Sequence, residues 1–143
     1  MSRRLLDTDV LSEIIKGKNA AIVARAAAYA AQHGRFTISA VSVAEVVYGF
    51  RRMGPRRADR AIRGVFGGEA EVLPLDDPAA RLAGRINADL ERSGRVIGMP
   101  DVMIAAIALQ NGLPLVTGNV VHFEQVRSIG YRLLIESWKS DLP

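Results

Sequence analysis

The sequence predicts an α/β fold in which a mostly parallel sheet of four to five short strands carries helices on both faces. Three observations predict it. Short apolar runs alternate with helix-length segments from one end to the other. No internal repeat, low-complexity tract or linker interrupts that alternation. The 143 residues are 49% hydrophobic and 24% charged, which suits one domain spanning residues 1–143. Strands separated by helices are joined by right-handed crossovers, and this makes them parallel. A chain of this size buries roughly 70% of the surface its unfolded form exposes and needs no disulfide or structural metal.

The elements follow in order. Arg4–Leu6 reads as a short strand entering Asp7-Thr8-Asp9. Val10–Lys16 and Ala20–Gln32 read as helices, the second Ala-rich and stopped by Gly34. Phe36–Ile38 is the second strand, and Ser39 caps a helix to about Met53. Beyond the Gly54-Pro55 break an arginine-rich helix runs to about Val65. Glu71–Leu73 is the third strand, and Asp77-Pro78 supplies the cap and first position of a helix to about Ser93. Pro100 opens a helix over Asp101–Gln110, stopped at Gly112, and Leu113–Thr117 is the fourth strand. A short helix over Val120–Glu124 leads to a final strand at Tyr131–Ile135.

Composition excludes several chemistries. With no cysteine and only His33 and His122, zinc fingers, iron–sulfur clusters, thiol nucleophiles and paired-histidine zinc sites are ruled out. No apolar run reaches the roughly 18–20 residues of a membrane helix, and no signal-peptide core follows Met1-Ser2-Arg3-Arg4. A cytoplasmic protein without a membrane partner is the expectation. The formal charge of +4 is uneven: residues 51–63 hold six arginines against Asp59, and the rest of the chain is slightly acidic. Arg56, Arg60 and Arg63 fall at i, i+4 and i+7, which presents either a contact face for a polyanion such as RNA or a solvated helix face.

In a parallel sheet, chemistry gathers beyond the carboxyl ends of strands. That rim receives Asp7 and Asp9 after the first strand, Ser39–Glu45 after the second and Thr117–His122 after the fourth. Each acid has an ordinary structural role open to it. Asp7, with Asp9, suits a helix cap or Asx turn; Glu45 completes a Ser42-x-x-Glu45 capping box; Asp101 is favourable at a helix N-terminus. Taken together, carboxylates converging on one rim repel one another, and without a cation at least one holds its proton. An all-oxygen set selects a hard ion, Mg²⁺ or Mn²⁺, and such an ion beside arginines points to phosphodiester chemistry.

Four segments carry a resemblance. Leu5-Leu6-Asp7-Thr8-Asp9-Val10-Leu11-Ser12-Glu13, Ser42-Val43-Ala44-Glu45-Val46-Val47-Tyr48-Gly49, Ile97-Gly98-Met99-Pro100-Asp101-Val102-Met103-Ile104-Ala105-Ala106 and Val116-Thr117-Gly118-Asn119-Val120-Val121-His122-Phe123 resemble the successive motifs of PIN domains, in order and at the usual spacing. Their nearest likeness is to the VapC-type toxins of bacterial toxin–antitoxin pairs. The resemblance implies a three-layer α/β/α sandwich and a Mg²⁺- or Mn²⁺-dependent endoribonuclease. It implies that Asp7, Glu45 and Asp101 hold the metal and that structured RNA, a tRNA or ribosomal RNA loop, is cut to 5′-phosphate and 3′-hydroxyl ends. It also implies a homodimer that forms a heterotetramer or larger assembly with a VapB-type antitoxin.

One departure stands out. The last motif often carries a further acid where this chain has Asn119 and His122. The lower charge favours one firmly held ion. Asn119 keeps an amide oxygen for ligation or for orienting water. Thr117 reads as positioning a water or phosphate, or as an ordinary strand-end hydroxyl; His122 reads as a proton shuttle or a packed turn residue. Two rival functions remain: a catalytically degenerate PIN-like module that binds RNA or protein, and a phosphatase of the haloacid-dehalogenase type, matched by Asp7-Thr8-Asp9. The phosphatase needs a phosphate-binding lysine, whereas Lys16, Lys18 and Lys139 all lie near the termini.

Overall fold

The computed structural model describes residues 2–57, 60, 63 and 70–139. Strands β1 (Leu5–Leu6), β2 (Thr37–Ser39), β3 (Glu71–Leu73), β4 (Leu115–Val116) and β5 (Ile135–Glu136) form one sheet in the order β3-β2-β1-β4-β5. Every neighbouring pair is parallel. Helices α1 (Thr8–Lys16), α2 (Ala20–His33) and α3 (Ala40–Met53) precede β3, whereas α4 (Asp77–Arg92), α5 (Met99–Gln110) and α6 (Val120–Ser128) follow it.

The two-residue period of the strands sorts the core into two layers. On one face Leu5 and Leu115 pack with Ala83, Ile86 and Leu90 of α4, with α5, and with Phe123 and Val126 of α6. On the other, Leu6, Ile38 and Val116 meet Val10 and Leu11 of α1, Ile22 and Tyr29 of α2, Val46 of α3 and Trp138. The expected three-layer α/β/α arrangement is therefore present. Helix α5 is apolar nearly all round because it has no solvent face over Ile104–Ala108, where every residue is fully buried.

Local chemistry sets the element ends. Asn19 and Ser39 cap α2 and α3 through side-chain oxygens that accept from the amides of Ile22 and Ser42. Gly17 and Gly34 end α1 and α2 in the left-handed conformation. Several expectations shift. The helix after β3 is capped by Asp76, which accepts from the Ala79 amide, so Asp77 lies inside the first turn and pairs with Arg81. The helix after β4 continues to Ser128, because Phe123 and Val126 bury its inner side. The last strand is Ile135–Glu136 rather than Tyr131–Ile135, its register being set by pairing with Leu115 and Val116. In the arginine-rich segment residues 55–57, 60 and 63 are helical and exposed; its expected end at Val65 lies outside the described residues. No helix among the described residues is long and apolar enough to cross a membrane.

The strand order carries a functional consequence. From β1 the chain runs outward through β2 to β3, then returns to the other side of β1 for β4 and β5. The reversal point lies at the carboxyl ends of β1 and β4, where an open α/β sheet leaves a crevice.

Because Ile104 is fully buried between helices and sheet, Ile104→Ala is expected to cost about 2–5 kcal/mol in urea denaturation. Val121→Ala, at an exposed position, is expected to change stability by less than about 0.5 kcal/mol.

Candidate functional site

The crevice is an open cleft of about 500 Å³ lined by Asp7, Thr8, Asp9, Glu45, Asp101, Gly118, Asn119 and Lys139. Four carboxylates thus come from three places far apart in sequence: the end of β1, the second turn of α3 and the first turn of α5.

Asp7 lies deepest, with 5% of its surface exposed. Its position is dictated by the sheet: its amide donates to the Val116 carbonyl at 2.8 Å, directly beyond the β1–β4 pairing. One carboxylate oxygen accepts from the Thr8 amide at 2.8 Å, as the cap of α1. The other accepts from the Thr117 hydroxyl at 2.8 Å, and that hydroxyl accepts in turn from the Asn119 amide at 2.9 Å. The capping role and the site role therefore coincide in one side chain. Burial, followed by the charge of Asp9, pushes the Asp7 carboxyl up to about 7; Asp101 adds to the rise, and the hydrogen bonds from Thr117 and Thr8 oppose it.

Glu45 is not a capping residue. Helix α3 already begins at Ala40 with Ser39 as its cap, so Glu45 is one turn too deep to serve the N-terminus. It turns toward the start of α1, and its Oε1 accepts from the Thr8 hydroxyl at 2.6 Å; the same hydroxyl lies 2.9 Å from the Ser42 Oγ. Asp9 reaches across to the β4 side, where its Oδ2 accepts from the Gly118 amide at 2.9 Å and its Oδ1 is buried without a hydrogen-bond partner. Asp101 sits in the first turn of α5, its Oδ2 3.1 Å from His122 Nδ1. His122 is 46% exposed at its side chain, so it is not packed into a turn.

Asp7, Glu45, Asp101 and Asn119 share the cleft, and Thr117 lies buried beneath it as the donor to Asp7. Arg56, Arg60 and Arg63 are exposed and do not line it. Three lining residues escaped the sequence reading. Thr8, which ties Glu45 to the first turn of α1, was signalled by its place between two acids at a strand end. Asp9 was placed on the rim only as a capping or Asx-turn residue shared with Asp7, and as part of the acid pair of the phosphatase alternative. Lys139 had no signal: it follows the last motif by some distance, and its nearness to a terminus counted against it. The parallel pairing of β5 with β4 delivers it to the same rim, which removes the argument that no lysine was available to this site.

The donor set bears on a metal ion. Four carboxylates and an amide offer hard oxygen donors only, the orphaned Asp9 oxygen has no protein partner, and Asp7 is pushed toward its protonated form by burial first and then by the charges of Asp9 and Asp101. Among the described residues, no three Asp, Glu or His side chains close on a single point as a ready-made cage. That combination fits a hydrated Mg²⁺-like ion gripped by one or two carboxylates, and does not fit a fully protein-coordinated one.

Comparison with known proteins gives the family. The family model for the PIN domain matches residues 4–128. The chain is 35% identical to the tRNA(fMet)-specific endonuclease VapC of Shigella flexneri over 126 residues, 88% of this chain and 93% of that protein. It is 34% identical to the protein of the same name from Salmonella typhimurium (strain LT2) over 139 residues, covering 96% and 99%. The crystal structure of DNA-bound VapBC from Salmonella typhimurium is similar with a TM-score of 0.77 at 34% identity, covering 96% of this chain and 99% of that one.

An Asp7 carboxyl raised from 3.8 to about 7 binds its proton more tightly in the folded than in the unfolded chain. The associated stability is present in full below about pH 4 and is lost as pH rises through about 7. Asp7→Asn, a neutral mimic of the protonated side chain, is expected to raise the melting temperature of chelator-treated protein by several degrees at pH 8, with the gain shrinking toward pH 4.5. An equal gain at both values contradicts the assignment.

Proposed function

The chain belongs to the PIN-domain family and within it to the VapC proteins, and on that premise we propose that it is a Mg²⁺- or Mn²⁺-dependent endoribonuclease toxin held in check by a VapB-type antitoxin. The observation that carries this reading is the cleft at the β1–β4 reversal, which four carboxylates line together, with Asp7 buried at its base beside Asp9 and Asp101. Family membership sets aside the phosphatase alternative. The relatives named tRNA(fMet)-specific endonucleases favour a tRNA over a ribosomal RNA loop as the structured RNA substrate. The VapBC complexes favour the antitoxin partner, with a homodimer forming a heterotetramer or larger assembly.

Asp7, Glu45 and Asp101 would hold the ion, one or two of them directly and the rest through its waters, with Asn119 beside them. When bound, the ion would supply a lowered pKa for an attacking water and positive charge against the phosphate. The chain's own contributions follow from its hydrogen bonds. Thr117 and the Thr8 amide hold both oxygens of Asp7 in a fixed orientation, and the Thr8 hydroxyl holds Glu45 against the same wall. His122 steadies Asp101 from the solvent side. Such pre-set orientation is what an in-line displacement needs, because attacking water, phosphorus and departing 3′-oxygen must lie nearly on one line. The P–O3′ bond breaks as the new P–O bond forms, which leaves a 5′-phosphate and a 3′-hydroxyl.

Purified protein incubated with total bacterial RNA and Mn²⁺ is expected to produce discrete cuts carrying 5′-phosphate ends, and Asp7→Asn is expected to reduce them at least about a hundredfold, as loss of a charge-stabilising group does. Identical patterns from the two proteins, or cyclic 2′,3′-phosphate ends, refute the reading; RNA retained without cuts would identify a degenerate binding module instead. The exposed Arg56, Arg60 and Arg63 would steer RNA, so changing all three to Glu is expected to weaken RNA binding and flatten its salt dependence, measured by filter binding from low to moderate salt, with Mn²⁺ affinity unchanged.

A further inference from the structure

Lys139 is in the cleft without any family motif to place it there. Trp138 is buried and packs its ring 5.8 Å from that of Tyr29, so the segment leaving β5 is anchored one residue before the lysine. The Lys139 side chain then crosses Gly118. A methyl group built on Gly118 would stand 2.4 Å from Lys139 Cε, 2.5 Å from its Nζ and 2.6 Å from Asp9 Oδ2. Real carbon contacts do not come this close, so the glycine leaves room for ammonium and carboxylate to pass the same point. Asp9 Oδ2 is taken by the Gly118 amide, and Asp9 Oδ1 is buried and unpartnered. The nearest cation is therefore close to Asp9 but is not paired with it.

Charge explains why a cation is needed there. A phosphodiester entering a cleft lined by four carboxylates is repelled, and one divalent ion leaves the remaining acids uncompensated. The last motif has Asn119 and His122 in place of acids, so the β4 side of the cleft has only Asp9 to attract a second ion. An ammonium is a compact point charge with three donors and binds phosphate oxygens readily.

Resting on the nuclease reading above, we propose that Lys139 is the phosphate-binding cation of this cleft and that, poised beside Asp9, it takes the place of a second divalent ion. Lys139 thereby faces the non-bridging oxygens of the scissile phosphate while Asp9 and Gly118 keep its ammonium on the β4 side.

The test uses the intact chain and two readouts. In calorimetric titration with Mn²⁺ and no RNA, the wild type is expected to take one ion per protomer. Lys139→Met keeps the stem and removes the charge; it is expected to bind Mn²⁺ about tenfold more tightly or to admit a second ion, because Asp9 is released from its neighbouring cation. With total RNA at saturating Mn²⁺, the same variant is expected to cleave at least about tenfold more slowly, with a raised KM, and Lys139→Arg is expected to recover a large part of the loss. Either change without the other overturns the assignment, as does a variant indistinguishable from wild type in both. A wild type that neither binds Mn²⁺ nor cuts RNA removes the nuclease reading itself, a different failure from a wild type that does both while Lys139→Met matches it.

Discussion

Burial of a carboxylate between the two central strands is the constraint on which the rest of the site depends. Asp7 follows β1 by one residue, so its backbone is committed to the ladder with β4 and its side chain must enter the space where the chain reverses direction across the sheet. A charge in that position is costly unless hydrogen bonds or a cation answer it. Two hydrogen bonds, from the Thr8 amide and the Thr117 hydroxyl, answer part of it. The neighbouring acids Asp9 and Asp101 make the remainder worse. The fold therefore holds an unresolved charge at a fixed place, and an arriving cation or proton relieves it.

This arrangement shows why an ordinary structural role and a chemical role need not compete. The side chain that caps α1 is the same one that faces the cleft, because the helix starts where the strand stops. A hydroxyl one residue later ties α3 to α1 through Glu45. The site is thus built from the seams between elements, and rigidity at those seams becomes orientation of the acids. The alanine-rich interior of α5 serves the same end from the other side: fully buried over Ile104–Ala108, it holds Asp101 in its first turn on a body that cannot roll.

Much of this was readable without coordinates. The alternation of apolar runs and helical segments contained the parallel α/β sandwich, and the rule that sites lie beyond strand ends brought Asp7, Glu45, Thr117 and Asn119 to one rim. The capping-box alternative for Glu45 falls away, since the helix starts at Ser39, as the sequence indicated, and leaves Glu45 too far along to cap. The last strand was displaced because its apolar residues Leu133, Leu134 and Ile135 are contiguous, and only pairing with β4 chooses among registers.

The amino-acid order by itself determined which residues could be acids on the rim, that no thiolate or paired imidazole could serve a metal, and that one segment would be strongly basic, because these follow from composition and from periodicity along a single element. Only the tertiary structure decided that Asp9 would cross to the Gly118 amide, that His122 would stand against Asp101 and that Lys139 would return from the far end of the chain to the same cleft. Those meetings depend on the order of strands in the sheet, which brings together side chains 21 residues apart in one case and more than a hundred apart in the others and leaves no trace in their local spacing.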